Sequence, residues 1–336
     1  MTTAVALGVA PALPRARPAP RRASHARGPA RSRAIVPRAG ADDDIAKPSS
    51  ASNSVLSALC PLLKVFSGGD AAAPRNRFLE VATSGFASIS RLPFGVTVQP
   101  ECAARPAERS PKKPIVLYEF EACPFCRRVR ETATQLDLEL VVKPCPKEAS
   151  THRDEAFRLG NSKNTFPFLV DENTNTAMSE SEDICKYLWF TYGEGTAFPE
   201  AIVTSTMVTG WMPTLLRAGR GMTRYANAKK AVSAFSDDAN ENDSGNVGLP
   251  TVTLYNYEGN QFARLVREAL CELEVPYILA NAGKGSARRE RLRLIDADAS
   301  VPYLIDENTG VSLGESDKIV AYLFEEYGGY VRRAEA

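Results

Sequence analysis

Residues 115–131 read IVLYEFEACPFCRRVRE, and residues 252–268 read VTLYNYEGNQFARLVRE. At an offset of 137, Leu117 meets Leu254, Tyr118 meets Tyr255, Phe125 meets Phe262 and Arg130 meets Arg267. The same offset sets Cys123 on Asn260 and Cys126 on Ala263. Further on, TFPFLVDENTNTAMSESEDICKYL (165–188) aligns with SVPYLIDENTGVSLGESDKIVAYL (300–323) at an offset of 135. The chain therefore holds one fold unit twice. What both copies keep serves the fold. The Cys-x-x-Cys pair is in one copy and serves chemistry.

Each copy reads as the same series of elements. A β-rich run (115–120; 252–257) feeds a helix-period stretch (124–137; 261–274), and a second apolar run follows (138–142; 276–279). This is a strand–helix–strand unit with a right-handed crossover. A polar helix (150–159; 285–295) precedes a Pro-led strand (167–170; 302–305). Asp-Glu-Asn-Thr then turns the chain into a short strand (176–178; 311–313). An amphipathic helix ends the unit (181–192; 316–327), with Ser181 and Ser316 expected as N-caps and Gly193 and Gly328 as stops. The order resembles the thioredoxin/glutaredoxin fold as it occurs in the N-terminal domain of glutathione transferases. The fold class expected is α/β, with two such domains in tandem and no complete all-helical transferase domain.

The expected organisation is a transit peptide at 1–39, an extension with one or two helices at 40–112 and a first domain at 113–195. A helical connector and acidic linker (196–249) and a second domain lacking the dithiol (250–330) follow. Residues 1–41 carry eight Arg and no acid, which has the character of an organelle targeting segment. Without it the chain holds 33 basic and 40 acidic residues (41 − 8 = 33), a net −7, so a nucleic-acid footprint is excluded. Seven scattered cysteines do not make a disulfide scaffold and suit a reducing compartment. Cys60, Cys185 and Cys271 read as small core residues. No apolar run reaches the ~18 residues of a membrane span. The nearest, 54–66 and 201–218, are broken by Pro61 and Pro213 and read first as helices packed on the repeats, second as peripheral membrane contacts.

Cys123-Pro124-Phe125-Cys126 falls where a strand ends and a helix begins. Free N–H groups and the helix dipole there favour a thiolate, and Arg127 and Arg128 add positive charge. Cys123, at the exposed end, is the expected nucleophile. Cys126, one turn further in, is the resolving thiol. A zinc site would need a second ligand pair. Cys145 stands alone and His152 is isolated, so no metal is expected. His152 reads as a surface residue, and Cys145 as a packing residue close to the active end.

The stretches YEFEACPFCRRVRE, KPCPKE, FPFLVDENTN and the ES-x-x-I-x-x-YL ending resemble the plastid tandem glutathione-transferase-N-terminal-like proteins of plants and algae. The CPFC pair is also similar to that of glutaredoxins and of membrane-associated prostaglandin E synthase. The resemblance implies a chloroplast location, with the mitochondrion as the alternative from composition, and a disulfide oxidoreductase using glutathione as co-substrate. Partners would be glutathione and disulfide-bonded or glutathionylated proteins. Phe166 and a cis Pro167 would face the dithiol and pair with the glutathione peptide. Glu180, Ser181 and Arg127 would hold its carboxylate. The alternatives are a transferase or isomerase acting on a small electrophile, and a non-enzymatic redox-sensing or glutathione-binding adaptor.

Overall fold

The computed structural model describes residues 76–149, 151–228 and 250–329. The expected targeting segment, Cys60, the 54–66 run and the expected acidic linker 237–248 lie outside these residues. In chain order the elements are α1 (Arg77–Ile89), α2 (Pro100–Ala103), β1 (Ile115–Glu119), α3 (Pro124–Gln135), β2 (Leu140–Pro144), α4 (Thr151–Arg158), β3 (Phe168–Asp171), β4 (Thr176–Ser179) and α5 (Ser181–Tyr192). After α6 (Ala201–Thr209) and α7 (Met212–Leu216) come β5 (Val252–Asn256), α8 (Gln261–Glu272), β6 (Tyr277–Asn281), α9 (Arg288–Ile295), β7 (Tyr303–Asp306), β8 (Val311–Gly314) and α10 (Ser316–Glu326). Each repeat follows the expected order. Among the described residues no helix is long and apolar enough to cross a membrane.

Strand alternation divides each repeat into two apolar layers. Ile115, Leu117, Leu140 and Leu169 pack on Val129 and Ala133 of α3, on its C-cap Leu136, and on Ile184 and Leu188 of α5. Tyr118, Phe168 and Val170 face the other way, onto Ala156 of α4. The Asp-Glu-Asn-Thr turn ties the last helix to the sheet. Asp171 accepts hydrogen bonds from Tyr187 at 2.8 Å and Tyr192 at 2.6 Å, and Asp306 accepts from Tyr322 and Tyr327, both at 2.6 Å. These residues recur in both copies, as residues that serve the fold should.

The two repeats share one eight-stranded sheet, ordered β4-β3-β1-β2-β6-β5-β7-β8. They join through antiparallel β2 and β6, with Leu140 opposite Leu279, Val141 opposite Ile278 and Val142 opposite Tyr277. Val141 and Ile278 are equivalent positions, so a pseudo-two-fold axis passes between them. Each repeat covers the other's free strand edge, which would otherwise present unpaired backbone groups.

Beneath the join lies a buried charge network obeying the same symmetry. Arg130 meets Glu258 at 2.7 Å and Glu121 at 2.9 Å; Arg267 meets Glu121 at 3.1 Å and Glu258 at 3.0 Å. Arg127 pairs with Glu258 at 3.4 Å, and Arg264 stands 3.9 Å from Glu121. The symmetry breaks at one place. Arg130 also binds Glu119, whereas Arg267 donates to Asn256 at 3.1 Å. Burial pushes the Glu119 carboxyl up to about 7; Arg130 opposes the shift, and the nearby charges of Glu121 and Glu258 add to it.

The duplicated unit extends further than the strand pattern shows. At an offset of 126, Thr83, Arg91, Gly95 and Thr97 correspond to Thr209, Arg217, Gly221 and Thr223. Arg91 grips Glu131 at 2.8 and 2.6 Å, and Arg217 grips the equivalent Glu268 at 2.9 and 2.7 Å. Each arginine thus anchors a leader on the repeat that follows it. Beyond the arginine the leaders cross over. The Gly259 N–H donates to the Gly95 carbonyl in the second repeat, and the Ala122 N–H to the Gly221 carbonyl in the first. Thr97 bridges to Lys284 and Thr223 to Lys147. The connector expected to lie between two domains is therefore a strap over the dithiol of the first.

Two local expectations change. Ser181 and Ser316 are the first residues of their helices rather than the caps. The caps are Glu180 and Glu315, with φ of 73° and 63°. His152 is buried, because α4 turns it toward Glu155, 3.8 Å away, instead of toward solvent.

Candidate functional site

β1 ends at Glu119, and the loop Phe120-Glu121-Ala122 delivers Cys123 to the N-cap of α3. Pro124 follows at the first helical position, where its missing N–H leaves no donor unsatisfied. The Cys126 N–H donates to the Cys123 sulfur at 3.4 Å. Opposite, the Phe166 carbonyl lies 3.9 Å from that sulfur, on the residue joined to Pro167 by a cis peptide bond.

This setting separates the two thiols. Burial works against ionising Cys123. It is outweighed by hydrogen bonds from the Cys126 thiol and from the N–H groups of Cys126 and Phe125, which bring its pKa below the ordinary value. Cys126 goes the other way: burial and its bond to Cys123 raise it well above that value. A thiol that ionises more readily next to one that stays protonated is the arrangement a dithiol exchange needs. The positive charge assigned to Arg127 contributes little, because that guanidinium is turned into the interface. It pairs there with Glu258 and donates to the Gly210 carbonyl at 3.0 Å. The same placement removes Arg127 from the expected ligand wall.

Arg128 takes a different course. It donates to the Ser181 hydroxyl at the start of α5, and its guanidinium lies 5.8 Å from the centre of the Phe125 ring. Among the described residues the buried Arg128 Nε has no hydrogen-bond partner. The repeats themselves carried the signal. Arg127 recurs as Arg264, a fold residue, while Arg128 is replaced by Leu265. Arg153 stacks on the Phe166 ring at 4.8 Å, so the aromatic residues around the sulfur are flanked by two arginines.

Access differs from expectation. Cys123 is 2 % exposed and Cys126 fully buried, in a cluster with Phe120, Ala122, Met222 and Cys271, packed against Phe125 and Phe166. The strap provides the cover. Thr214 donates to the Ala122 carbonyl at 2.6 Å, Trp211 meets Phe125 edge-on, and Met222 closes the cluster. Cys271 comes from the second repeat. It accepts from the Glu121 N–H at 3.4 Å and donates to the Gly221 carbonyl at 3.2 Å, so it holds both the active loop and the strap. Burial raises Cys271 and Cys145 well above the ordinary thiol value, which marks both as packing residues.

In the second repeat one amide replaces the chemistry. The Asn260 oxygen accepts from the N–H groups of Phe262 and Ala263, both at 2.9 Å, and its nitrogen donates to the Val301 carbonyl at 3.2 Å. The side chain thus meets the same backbone positions as Cys123 without a reactive atom. Among the described residues no group of three or more His, Cys, Asp or Glu is placed to hold a metal ion.

No curated protein and no solved structure matches the chain. The glutathione S-transferase N-terminal domain family matches residues 117–196 and again residues 254–330, the two halves of the shared sheet. The chain therefore carries two thioredoxin-like domains in tandem, each similar to a glutathione S-transferase N-terminal domain, with a dithiol in the first and an asparagine plug in the second.

Proposed function

We propose that the protein is a glutathione-dependent thiol–disulfide oxidoreductase. The observation that carries this reading is the division of labour at the N-terminus of α3, where backbone N–H groups and the Cys126 thiol face the Cys123 sulfur and make it the more readily ionised of the two. The Cys123 thiolate attacks one sulfur of a client disulfide. A Cys123–client bond forms and the other sulfur leaves as a thiolate. Cys126, giving up its proton, then attacks Cys123 and releases the client thiolate. The client disulfide gains two electrons, and the enzyme is left with a Cys123–Cys126 disulfide. Two glutathione molecules return those electrons and leave as glutathione disulfide.

Glutathione fits the wall opposite the dithiol. Phe166 and Pro167 supply backbone groups, Ser181 and the N–H groups of the first turn of α5 supply donors at a positive dipole end, and the Glu180 carboxylate supplies an acceptor. Arg128 replaces Arg127 as the guanidinium facing the γ-glutamyl carboxylate. The second repeat, with Leu265 there, lacks this contact. Arg128→Leu is expected to raise KM for glutathione by roughly 10-fold or more with kcat little changed, since a hydrogen bond to a charged group contributes about 1.5–3 kcal/mol. Steady-state kinetics over a range of glutathione concentrations checks this.

The burial of Cys123 favours a second reading, an adaptor that senses redox state without turnover. Incubation with a glutathionylated peptide and excess glutathione separates the two. The enzyme reading expects repeated peptide release and, with a disulfide substrate in single turnover, a mass loss of two hydrogens from the Cys123–Cys126 pair. One release event or none would leave the adaptor. The acid-free arginine-rich leader supports an organellar address, a plastid by the family resemblance. Exposed Phe86 and Ile89 on α1, with their counterparts Met212 and Leu215 on α7, support peripheral attachment to a membrane or complex.

A further inference from the structure

The strap over the dithiol is held by hydrogen bonds of a kind that another chain could make. The Ala122 N–H donates to the Gly221 carbonyl at 3.5 Å, the Lys147 N–H to the Met222 carbonyl at 2.7 Å, and the Arg224 N–H to the Lys147 carbonyl at 2.8 Å. All three run main chain to main chain, with the strap parallel to Lys147. Between them Met222 places its side chain in the buried cluster of Cys123, Cys126 and Phe166. A sulfur-bearing side chain, at the point where the chain leaves the Gly219–Met222 turn to pair with Lys147, thus stands against the nucleophile.

We infer that Gly221–Arg224 occupies the berth of the client, and that the client is a polypeptide segment that pairs with Lys147 by its backbone and has its half-cystine in the place of Met222. The inference rests on the oxidoreductase reading and adds the kind of partner. Main-chain pairing gives affinity without selecting side chains, and the pocket beside it selects the sulfur. The residue before the half-cystine is constrained. Gly221 has a φ of +73°, and a Cβ there would fall 2.6 Å from the Glu121 Cβ. The berth therefore prefers a client with glycine before its cysteine.

The second repeat shows the same berth filled by the other strap. The Lys284 N–H donates to the Val96 carbonyl and the Val98 N–H to the Lys284 carbonyl, each at 2.9 Å, while the Gly259 N–H reaches the Gly95 carbonyl at 2.7 Å. Over the live dithiol the last bond is stretched to 3.5 Å. Position 219 is glycine there, where the other strap has Pro93, so that strap has more backbone freedom when it detaches. The chain has one strap over its plug and one over its dithiol, and the second differs in the longer Gly221 bond and in Gly219.

A trapped complex tests the inference. Cys126→Ser protein is mixed with a Gly-Cys peptide whose sulfur carries a thionitrobenzoate group. The Cys123 thiolate attacks the peptide sulfur, thionitrobenzoate leaves as its coloured thiolate, and the mixed disulfide remains. Amide hydrogen exchange should then accelerate at Arg224 by about tenfold or more, the loss of protection that follows local opening, while Val98 stays protected. An unchanged Arg224 in the trapped complex would overturn the berth. In a second arm, Met222→Cys is added to Cys126→Ser and oxidised with diamide. A bond should form between Cys123 and the introduced thiol, and not when the thiol is introduced by Arg220→Cys. Equal pairing from both positions would also overturn it. Failure of turnover in the unaltered protein with both arms positive would sink the oxidoreductase reading and leave the berth standing.

Discussion

Replacing Cys123 with serine is expected to lower reduction of a glutathionylated peptide by roughly 10³-fold or more, a loss typical of removing a nucleophile. The Cys123 site ionises a thiol through three short-range donors, and a serine hydroxyl in the same place stays protonated. Cys126→Ser should behave differently. A second glutathione can release a glutathionyl group from Cys123, so turnover of glutathionylated peptides survives. Reduction of a client with an internal disulfide should fall steeply, because the intramolecular attack that frees such a client is lost. Rates of glutathione disulfide formation with the two substrate classes check both variants. If Cys123→Ser kept the parent rate, another group would be the nucleophile.

Glu258→Ala is expected to cost about 3–5 kcal/mol of stability, the penalty for stranding buried charges. Glu258 comes from the second repeat, yet it neutralises Arg130 at 2.7 Å and Arg127 at 3.4 Å in the first, as well as Arg267 at 3.0 Å in its own. Burial alone would raise its pKa. Arg130, Arg267 and Arg264 overcome that and hold it well below the usual carboxylate range. The folded value thus lies below the unfolded ~4.3, so the stabilisation is full at neutral pH and is lost as pH falls below that figure. Urea unfolding at pH 7 gives the comparison. Glu182→Ala, which breaks the exposed pair with Lys186, should cost no more than about 0.5 kcal/mol. Equal losses in the two variants would mean that the network does not join the repeats.

The repeat alignment made the fold readable. Residues kept in both copies, such as the Asp of Asp-Glu-Asn-Thr and the tyrosines of the last helix, have equivalent contacts in the structure. Element order was legible because strand runs, Gly stops and Pro-led strands are local signals. How the repeats meet was not, since β2 and β6 are apolar runs whose pairing depends on contacts far apart in sequence. The leaders were missed for another reason. They repeat at an offset of 126 and the strands at 137, so a search at the strand offset passes over Arg-x-x-x-Gly-x-Thr at 91–97 and 217–223. The difference of 11 residues falls between Gly221 and Val252, the stretch that contains the acidic linker.

At the site, the dithiol at a strand–helix junction was legible from spacing and the cis Pro167 opposite it from the resemblance, but the different courses of Arg127 and Arg128 were not. Arg127 and Arg128 are adjacent and chemically identical. Helical geometry sends one into the interface and the other to Ser181. Comparing Arg264 with Leu265 separates them. The burial of Cys123 had no local signal, because the covering residues lie almost 100 positions downstream.

The most direct measurement is a thiolate titration of Cys123 in Cys126→Ser protein, following ultraviolet absorbance against pH. The account predicts a midpoint below the ~8.5 of a free cysteine, held there by the N–H groups of Phe125 and Cys126. A midpoint at or above that value would mean that burial wins at the N-terminus of α3, and Cys123 would then be a covered structural thiol rather than a nucleophile.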